Sequence, residues 1–155
     1  MKSRRIASVI GAVASMAAIG VLAAGPAMAV MPSSVAGSTP SWSSSVLKGG
    51  GSFKNAATVT ATYTVTLQLI RTATATKPTC VVATGCATTT TQTQLKNSGA
   101  VSYSVAKATT MTVTATTVNC AASTTTRYYW TWIKVADASG NVATALSSYL
   151  SGKYC

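Results

Sequence analysis

The amino-acid sequence predicts an all-β domain, an antiparallel sandwich of two sheets with about seven strands. Residues 57–71 alternate apolar and polar side chains with a period of two, which is typical of a strand buried on one face. Residues 127–150 form two strand-like runs across a short turn that contains glycine, which indicates a hairpin. No helical periodicity is visible after residue 29, so a helical layer is not predicted.

The first 29 residues are predicted to be a secretory signal peptide. They begin with a basic start that contains Arg4 and Arg5, continue with an apolar stretch at 6–24, and end in an Ala-Met-Ala triplet that closes at Ala29. Cleavage after Ala29 would leave a secreted, extracellular protein without a membrane span. The alternative for this segment is an uncleaved transmembrane anchor.

Residues 30–50 follow the predicted cleavage site and are rich in Pro, Ser and Gly, so they are predicted to form a flexible lead-in. Three consecutive glycines at 49–51 are predicted to lie in a loop. The sandwich domain with its disulfides is therefore assigned to residues 51–155. The mature chain would hold 126 residues, which is 155 minus 29, and this suffices for one domain with a modest core.

The middle of the chain supplies most of the predicted strands. In residues 57–71 the apolar side chains from Val59 to Leu69 share one face, and that face is predicted to lie on the core. The remaining segments are predicted from alternation and turn residues: a loop at 72–86, strands at 87–95, 101–105 and 111–116, a turn at 97–99, and a loop at 120–126.

The last hairpin carries a resemblance to a known class of domain. An aromatic-rich strand is followed by the turn sequence Val-Ala-Asp-Ala-Ser-Gly-Asn-Val-Ala, in which Asp137 opens the turn and Gly140 supplies the positive φ. This pattern resembles the last hairpin of secreted bacterial immunoglobulin-like and fibronectin-like sandwiches, and the resemblance implies an Ig-like fold. The residues that carry it are Tyr129, Ile133, Val135, Asp137, Gly140 and Asn141.

Four cysteines, Cys80, Cys86, Cys120 and Cys155, form an even set in a chain predicted to be exported, which predicts two disulfides. Four cysteines allow three connectivities. The pairing we expect is Cys80–Cys86, which closes a small loop, with Cys120–Cys155, which fastens residue 155 to the entry of the last hairpin. A metal site is the alternative, but the chain has no His and no C-x-x-C pair, so no metal ligand set is predicted.

The composition argues against most enzymes. The chain contains one acidic residue, Asp137, and no His, whereas general acid–base catalysis, glycoside hydrolysis and Ser-His-Asp triads require such groups. No phosphate loop or dinucleotide fingerprint is present. We therefore predict a protein that is not an enzyme, with no catalytic residue and no cofactor.

One candidate binding surface stands out on the first strand of the hairpin. Tyr128, Trp130, Trp132 and Lys134 share one face, opposite the face of Tyr129. If the Tyr129 face lies on the core, an outward aromatic row beside a lysine would suit stacking on sugar rings. The alternatives are that this row is itself core, or that a neighbouring segment such as the one with Trp42 covers it.

Charge and threonine content complete the prediction. Nine basic residues follow the signal against one acid, and they are scattered rather than clustered. Anionic or polysaccharide polymers of the cell envelope are the expected partners, rather than nucleic acid; the alternative is that the charge serves solubility alone. The 27 threonines suit the solvent faces of strands.

The predicted function is a secreted, non-enzymatic binding or structural protein at a bacterial envelope. Its rivals are a cationic effector and an Ig-like carrier or inhibitor, and no oligomeric state is predicted.

Overall fold

Residues 30–155 are described by the structure, a computed structural model, and the predicted signal peptide at 1–29 lies outside the described residues. Ten β-strands and no helix form this part of the chain. None of its segments is a helix long and apolar enough to cross a membrane. The strands are β1 (Ser33–Gly37), β2 (Ser41–Ser43), β3 (Val46–Lys54), β4 (Ala61–Thr72), β5 (Gln92–Asn97), β6 (Val101–Val105), β7 (Thr110–Asn119), β8 (Arg127–Asp137), β9 (Val142–Leu146) and β10 (Leu150–Gly152).

The strands form two antiparallel sheets, one of four strands and one of six. In three places, two short strands lie end to end and pair with the same edge of one longer strand. β1 and β2 pair with β3, β5 and β6 pair with β4, and β9 and β10 pair with β8. With each such pair counted as one strand position, the smaller sheet is three strands wide and the larger sheet is four strands wide. The prediction of an all-β, two-sheet antiparallel sandwich is confirmed.

The core lies between the inner faces of the two sheets. The alternation predicted for residues 57–71 is present in β4 from Tyr63 to Leu67, but beyond it Gln68 and Ile70 on the opposite face are buried as well. Val59, which was predicted on the core face, lies before the strand and is exposed, so that part of the prediction is wrong. On β8 the inner face carries Tyr129, Ile133 and Val135, all fully buried. Leu47, Phe53 and Val113 of the smaller sheet pack against these two strands.

A polar network closes one end of this core. The Asn55 side chain is fully buried, and its Nδ2 donates to the backbone carbonyl oxygens of Val59, Val105 and Ala106 at 2.9–3.1 Å. Its Oδ1 accepts hydrogen bonds from the Ala57 amide at 2.8 Å and from the Tyr63 hydroxyl at 2.7 Å. Because every hydrogen-bonding position of the amide is used, this polar group is held in the core without an unpaired atom.

The predicted lead-in at 30–50 and the predicted glycine loop at 49–51 are wrong. These residues form β1, β2 and most of β3, so the sandwich begins well before residue 51. The glycines are needed for close packing rather than for a turn. A Cβ on Gly49 would lie 2.5 Å from the Leu69 side chain, and one on Gly51 would lie 2.8 Å from the Ile133 side chain. Gly49 and Gly51 therefore let the two sheets approach closely at β3, whereas a Cβ on Gly50 would make only ordinary contacts, the nearest at 3.8 Å.

Other predicted segments differ from the structure in their bounds. The strand expected at 87–95 is shifted to β5, and the second arm of the hairpin is split into β9 and β10. The interruption falls at Ser147, whose amide donates to the Thr131 carbonyl oxygen at 2.9 Å while its Oγ accepts from the Thr131 amide at 2.8 Å. A serine hydroxyl thus replaces a backbone acceptor, and the chain leaves the sheet for three residues before β10 rejoins it.

Both disulfides are present in the predicted pairing, Cys80–Cys86 and Cys120–Cys155. The first closes a loop between β4 and β5, and the second fixes Cys155 beside the end of β7. The turn between β8 and β9 also forms as predicted, with Gly140 at φ +84° and the Asp137 carboxylate accepting hydrogen bonds from the Ser139 and Asn141 amides.

Candidate functional site

The outer face of β8 carries the four residues that the sequence singled out. Alternation places Tyr128, Trp130, Trp132 and Lys134 on the face opposite the sandwich core, as predicted. Their predicted exposure is wrong for the two tryptophans, because Trp130 is 3% exposed and Trp132 is 4% exposed. Tyr128 and Lys134 are half-buried. Two large rings are therefore covered outside the main core.

The covering segment is the connection between β4 and β5, residues 73–91, which we call the cover loop. Its Cys80–Cys86 disulfide packs on Trp130 and Trp132 together with Ile70 and Leu146. The alternative that a neighbouring segment covers the row is thus correct, but the segment is not the one with Trp42. That ring stacks on Tyr154 at a centroid distance of 4.8 Å in a separate cluster near Cys155.

Two glutamine side chains fasten the cover loop to the sheet. The Oε1 atom of Gln68, which is buried on β4, accepts a hydrogen bond from the Cys86 amide at 2.7 Å. Gln92 at the start of β5 exchanges hydrogen bonds with both backbone groups of Thr79, at 2.7 and 2.8 Å, and donates another to the Ala87 carbonyl oxygen. The loop also needs glycine at Gly85, where φ is +81° and a Cβ would lie 2.4 Å from the Gln68 side chain. The cover loop is therefore a fixed part of the outer face.

Beyond the edge of the cover loop lies an open groove of about 460 Å³, which we call the aromatic groove. Tyr149 stands at its rim with 43% of its surface exposed, and its ring makes edge-to-face contacts with Trp130 and Tyr128, each at a centroid distance of 5.2 Å. The Trp130 ring is fixed in orientation because its Nε1 donates to Thr72 Oγ1 at 3.1 Å. The groove is lined by Ala75, Lys77, Trp130, Leu146, Ser147, Ser148 and Tyr149.

Lys134 lies at a second cavity, on the other side of the cover loop. Its Nζ donates to the Ala83 carbonyl oxygen at 3.4 Å, a long and solvent-exposed hydrogen bond. The cavity has about 210 Å³ and lies between the cover loop and the turn that contains Gly99. Lys134 is thus separated from the aromatic groove, and the structure does not bring the four predicted residues together into one surface.

The chemistry available in the aromatic groove is that of contact rather than of catalysis. An aromatic ring offers an apolar face with negative electrostatic character, which suits the C–H-bearing face of a sugar, while a lysine supplies positive charge. The Ser147 hydroxyl accepts from the Thr131 amide and donates to the Ser148 carbonyl oxygen at 2.6 Å, so it is not activated by a base. Among residues 30–155 no group of three or more His, Cys, Asp or Glu side chains is placed to hold a metal ion.

Tyr149 and Lys77 line the groove but were not among the predicted site residues. The hairpin register is misleading for Tyr149, because Trp132 pairs with Leu146, and counting on in that register sets Tyr149 opposite Tyr129, on the inner face. In the structure the register changes by one across the interruption, since Leu150 pairs with Tyr129, and Tyr149 therefore lies on the outer face. Lys77 had no signal either, because it lies on the irregular cover loop, where no period relates sequence position to location.

The site therefore belongs to a two-sheet β-sandwich whose outer face carries a disulfide-fastened loop beside an aromatic groove. No protein-family model matches the chain, and no curated protein matches it either. Among solved structures, the chain is similar to the solution structure of CsgH from R. palustris, with a TM-score of 0.40 and 10% identity over 74% of this chain and 91% of that one. This similarity is too weak to place the chain in a family.

Proposed function

We propose that this chain is a secreted, non-enzymatic protein that binds polysaccharide at or near the cell envelope through the aromatic groove. The observation that carries the proposal is the exposed Tyr149 ring, which packs edge-to-face, at 60° between the ring planes, on the buried and fixed Trp130 ring in a groove that Lys77 also lines. Aromatic walls that are already ordered cost little conformational entropy when a ligand binds. The groove is open to solvent, which suits one unit of a longer polymer chain.

The proposed location, at or near the cell envelope, is supported by the disulfides, the signal-like segment and the charge of the chain. Two disulfides are typical of proteins that fold outside the reducing cytoplasm, and the signal-like segment at 1–29 supports export. After that segment the side-chain charge is +8, nine basic residues minus one acid. A positive field of this kind attracts the anionic polymers of an envelope and raises their rate of encounter with the groove.

A second candidate function, docking to a protein partner as an inhibitor or carrier, is favoured by the tip of the cover loop. Val81 and Val82 are 56% and 51% exposed there. Two backbone hydrogen bonds between Val81 and Gly85, at 2.9 and 2.6 Å, and the Cys80–Cys86 disulfide hold the tip in a single conformation. A rigid apolar tip is suited to enter a pocket of a partner protein.

The test uses the oxidised, secreted form of the protein and measures retention on cellulose, chitin, dextran and peptidoglycan sacculi. We expect retention on at least one polysaccharide, weakened about tenfold by Tyr149→Ala, because loss of ring contact costs on the order of 1–2 kcal/mol. Tyr149→Phe should retain binding, because the ring face remains. Val59→Ala, which removes another exposed apolar side chain far from the groove, is the matched control.

The same experiment separates the two candidates. Val82→Asp changes the tip of the cover loop and should leave polysaccharide retention unchanged. If Val82→Asp abolishes binding to whole envelopes while Tyr149→Ala does not, the protein-docking function replaces the proposed one. Retention of Tyr149→Ala equal to that of the wild type, or no retention of the wild type on any of the polysaccharides, refutes polysaccharide binding by the aromatic groove.

A further inference from the structure

A separate pocket holds two arginines at the end of the larger sheet. Arg71 at the end of β4 and Arg127 at the start of β8 line a cavity of about 150 Å³, which we call the arginine pocket. Both side chains are half-buried. Hydroxyl- and amide-bearing residues complete the wall, namely Thr72, Thr90, Thr91, Gln92 and Thr93, together with Ala73. At roughly 30 Å³ for a liquid water molecule, the cavity has space for an oxyanion and a few waters.

No acidic side chain neutralises these arginines. The chain has one acid, Asp137, and it ends β8, whereas Arg127 begins that strand. Ten residues of strand at about 3.3 Å each separate the two by roughly 33 Å. Within residues 30–155, Arg71 donates one hydrogen bond, from Nη1 to a main-chain oxygen of Cys155, the last residue of the sequence, and the Arg127 guanidinium donates none. No acidic side chain therefore pairs with either partly buried guanidinium, and both retain free donors, Arg127 all of them.

The guanidiniums of Arg71 and Arg127 both lie close enough to Tyr129 to affect the pKa of its hydroxyl. Burial raises the pKa of the Tyr129 hydroxyl, and the positive charges of Arg71 and Arg127 both act against that increase. Arg71 pairs with Tyr129 across the β4–β8 ladder, and Arg127 lies two positions before it on β8. The two cations thus converge on one end of the sheet rather than pointing apart.

The arginine pocket is linked to the aromatic groove through Thr72. This residue lines the arginine pocket, pairs with Tyr128 across the ladder, and accepts the hydrogen bond of the Trp130 indole, which lines the groove. The chain then runs directly from Thr72 and Ala73 into the part of the cover loop that carries Ala75 and Lys77. Thr72 therefore connects the aromatic groove to the arginine pocket.

We infer that the arginine pocket is an oxyanion subsite, which holds a phosphate, sulfate or carboxylate group of an anionic glycan whose neighbouring sugar lies in the aromatic groove. The inference rests on the proposed function and names its substrate class. Guanidinium groups bind such oxyanions through paired N–H donors, and threonine hydroxyls can donate to the remaining oxygens. The ligand supplies negative charge that no acidic side chain of residues 30–155 supplies at this end of the sheet.

The direct test is thermal unfolding of the secreted protein in sodium sulfate and in sodium chloride at equal ionic strength. Sulfate stabilises folded proteins in general, so the excess of its effect on Tm over that of chloride is compared between the wild type and the variants. The excess should be smaller in Arg127→Gln than in the wild type, because a ligand that binds the folded state adds to the general effect. The matched control is Lys107→Gln, which removes the same charge from the turn between β6 and β7 at the other end of the sheet and should keep the excess.

The polymer test compares dextran sulfate with neutral dextran. Arg127→Gln should weaken the affinity for dextran sulfate about tenfold or more and leave retention on neutral polysaccharide unchanged. Arg127→Lys keeps the charge without the fork of donors and should fall between the two, which also provides a second variant if Arg127→Gln is poorly folded. Tyr149→Ala weakens both interactions, so a failure of the aromatic groove is distinguishable from a failure of the arginine pocket.

Three results would overturn the oxyanion subsite. One is an equal response to sulfate and chloride in the wild type. Another is an excess of the sulfate effect over the chloride effect that is as large in Arg127→Gln as in the wild type. The third is an equal weakening of dextran sulfate binding by Arg127→Gln and Lys107→Gln, which would show that net charge alone attracts the polymer.

Discussion

Two aromatic residues near the aromatic groove differ in how much of the fold depends on them. Trp132 packs beneath the Cys80–Cys86 disulfide with 4% of its surface exposed, while Tyr149 stands at the rim with 43% exposed. Removing a buried ring forfeits its transfer free energy and leaves a cavity, whereas removing an exposed ring forfeits little. The same kind of substitution therefore separates a structural role from a binding role.

Trp132→Ala is expected to lower the free energy of unfolding by ~3–5 kcal/mol, and Tyr149→Ala is expected to change it by no more than ~0.5 kcal/mol. Chemical denaturation of the two variants beside the wild type measures both. A loss below ~1 kcal/mol for Trp132→Ala would contradict its burial under the cover loop. A loss of several kcal/mol for Tyr149→Ala would make that residue structural and unsuitable as a probe of binding.

At the residue scale, the alternation within β8 correctly predicted which face of the sheet each side chain lies on, but it did not predict how exposed the side chains on the outer face are. The period of two places Tyr129 and Trp130 on opposite faces, and the structure agrees. The exposure of a side chain, however, depends on whether a segment distant in sequence packs on the face that carries it. The Ala- and Thr-rich cover loop has no period that would have located it on Trp130 and Trp132. The high degree of burial usual for tryptophan was the one sequence cue in favour of a cover.

At the scale of elements, the two disulfides support different parts of the molecule. Cys80 and Cys86 are separated by 6 positions, and the bond shapes the cover loop. Cys120 and Cys155 are separated by 35 positions, and their bond fixes the segment after β10, where Trp42 stacks on Tyr154. A longer closed loop restricts the unfolded chain more, so the second bond should contribute more to stability.

Replacing Cys120 and Cys155 by Ala should cost about 3–4 kcal/mol, and replacing Cys80 and Cys86 by Ala should cost about 2 kcal/mol. The effect on the solvent accessibility of Trp130 and Trp132 should be the opposite. Loss of the Cys80–Cys86 disulfide should expose these rings more than loss of the Cys120–Cys155 disulfide does, because Cys80–Cys86 packs on them. Denaturation gives the stabilities, and acrylamide quenching of tryptophan fluorescence in a Trp42→Phe background gives the accessibility. Unchanged quenching without Cys80–Cys86 would mean that the hydrogen bonds of Gln68 and Gln92 hold the cover loop on their own.

Elements with a strong local pattern were predictable, and elements determined by long-range packing were not. The twelve-residue β4 and the β8–β9 turn were both evident from alternation and turn chemistry. In β3 the local pattern misled, because the triplet at 49–51 is the usual signature of a loop. Its actual role, to let Leu69 and Ile133 of the other sheet approach, depends on contacts that no local sequence window contains.

At the scale of the whole molecule, the charge composition limits how stability can depend on pH. The chain has no His and a single acidic side chain, so no side chain with an ordinary pKa changes its charge between about pH 5 and 8. Burial acts to raise the pKa of Asp137, but hydrogen bonds from the Asn141 side chain and from the turn backbone outweigh it and hold that pKa below the ordinary value. The phenols of Tyr63 and Tyr129 have raised pKa values, caused chiefly by burial.

The direction of each pKa shift determines whether the stability of the fold rises or falls with pH at the acid and alkaline ends of the range. Because the folded-state pKa of Asp137 lies below the unfolded value of 3.8, its carboxylate stabilises the fold at higher pH, and this contribution is lost as the pH falls through the folded-state pKa. For Tyr63 and Tyr129 the folded-state pKa lies above the unfolded value of 10.0. Their contribution is complete below that value and is lost as the pH rises through the folded-state pKa.

We therefore expect a free energy of unfolding that is nearly constant from about pH 5 to 9, falls below about pH 4, and falls again above about pH 10. Asp137→Asn should be less stable than the wild type at neutral pH and should lose the acid decline, apart from the small contribution of a terminal carboxyl group. Denaturation curves across the pH range for both proteins measure this directly. An acid decline of the same size in Asp137→Asn would show that the carboxylate in the β8–β9 turn is not its source.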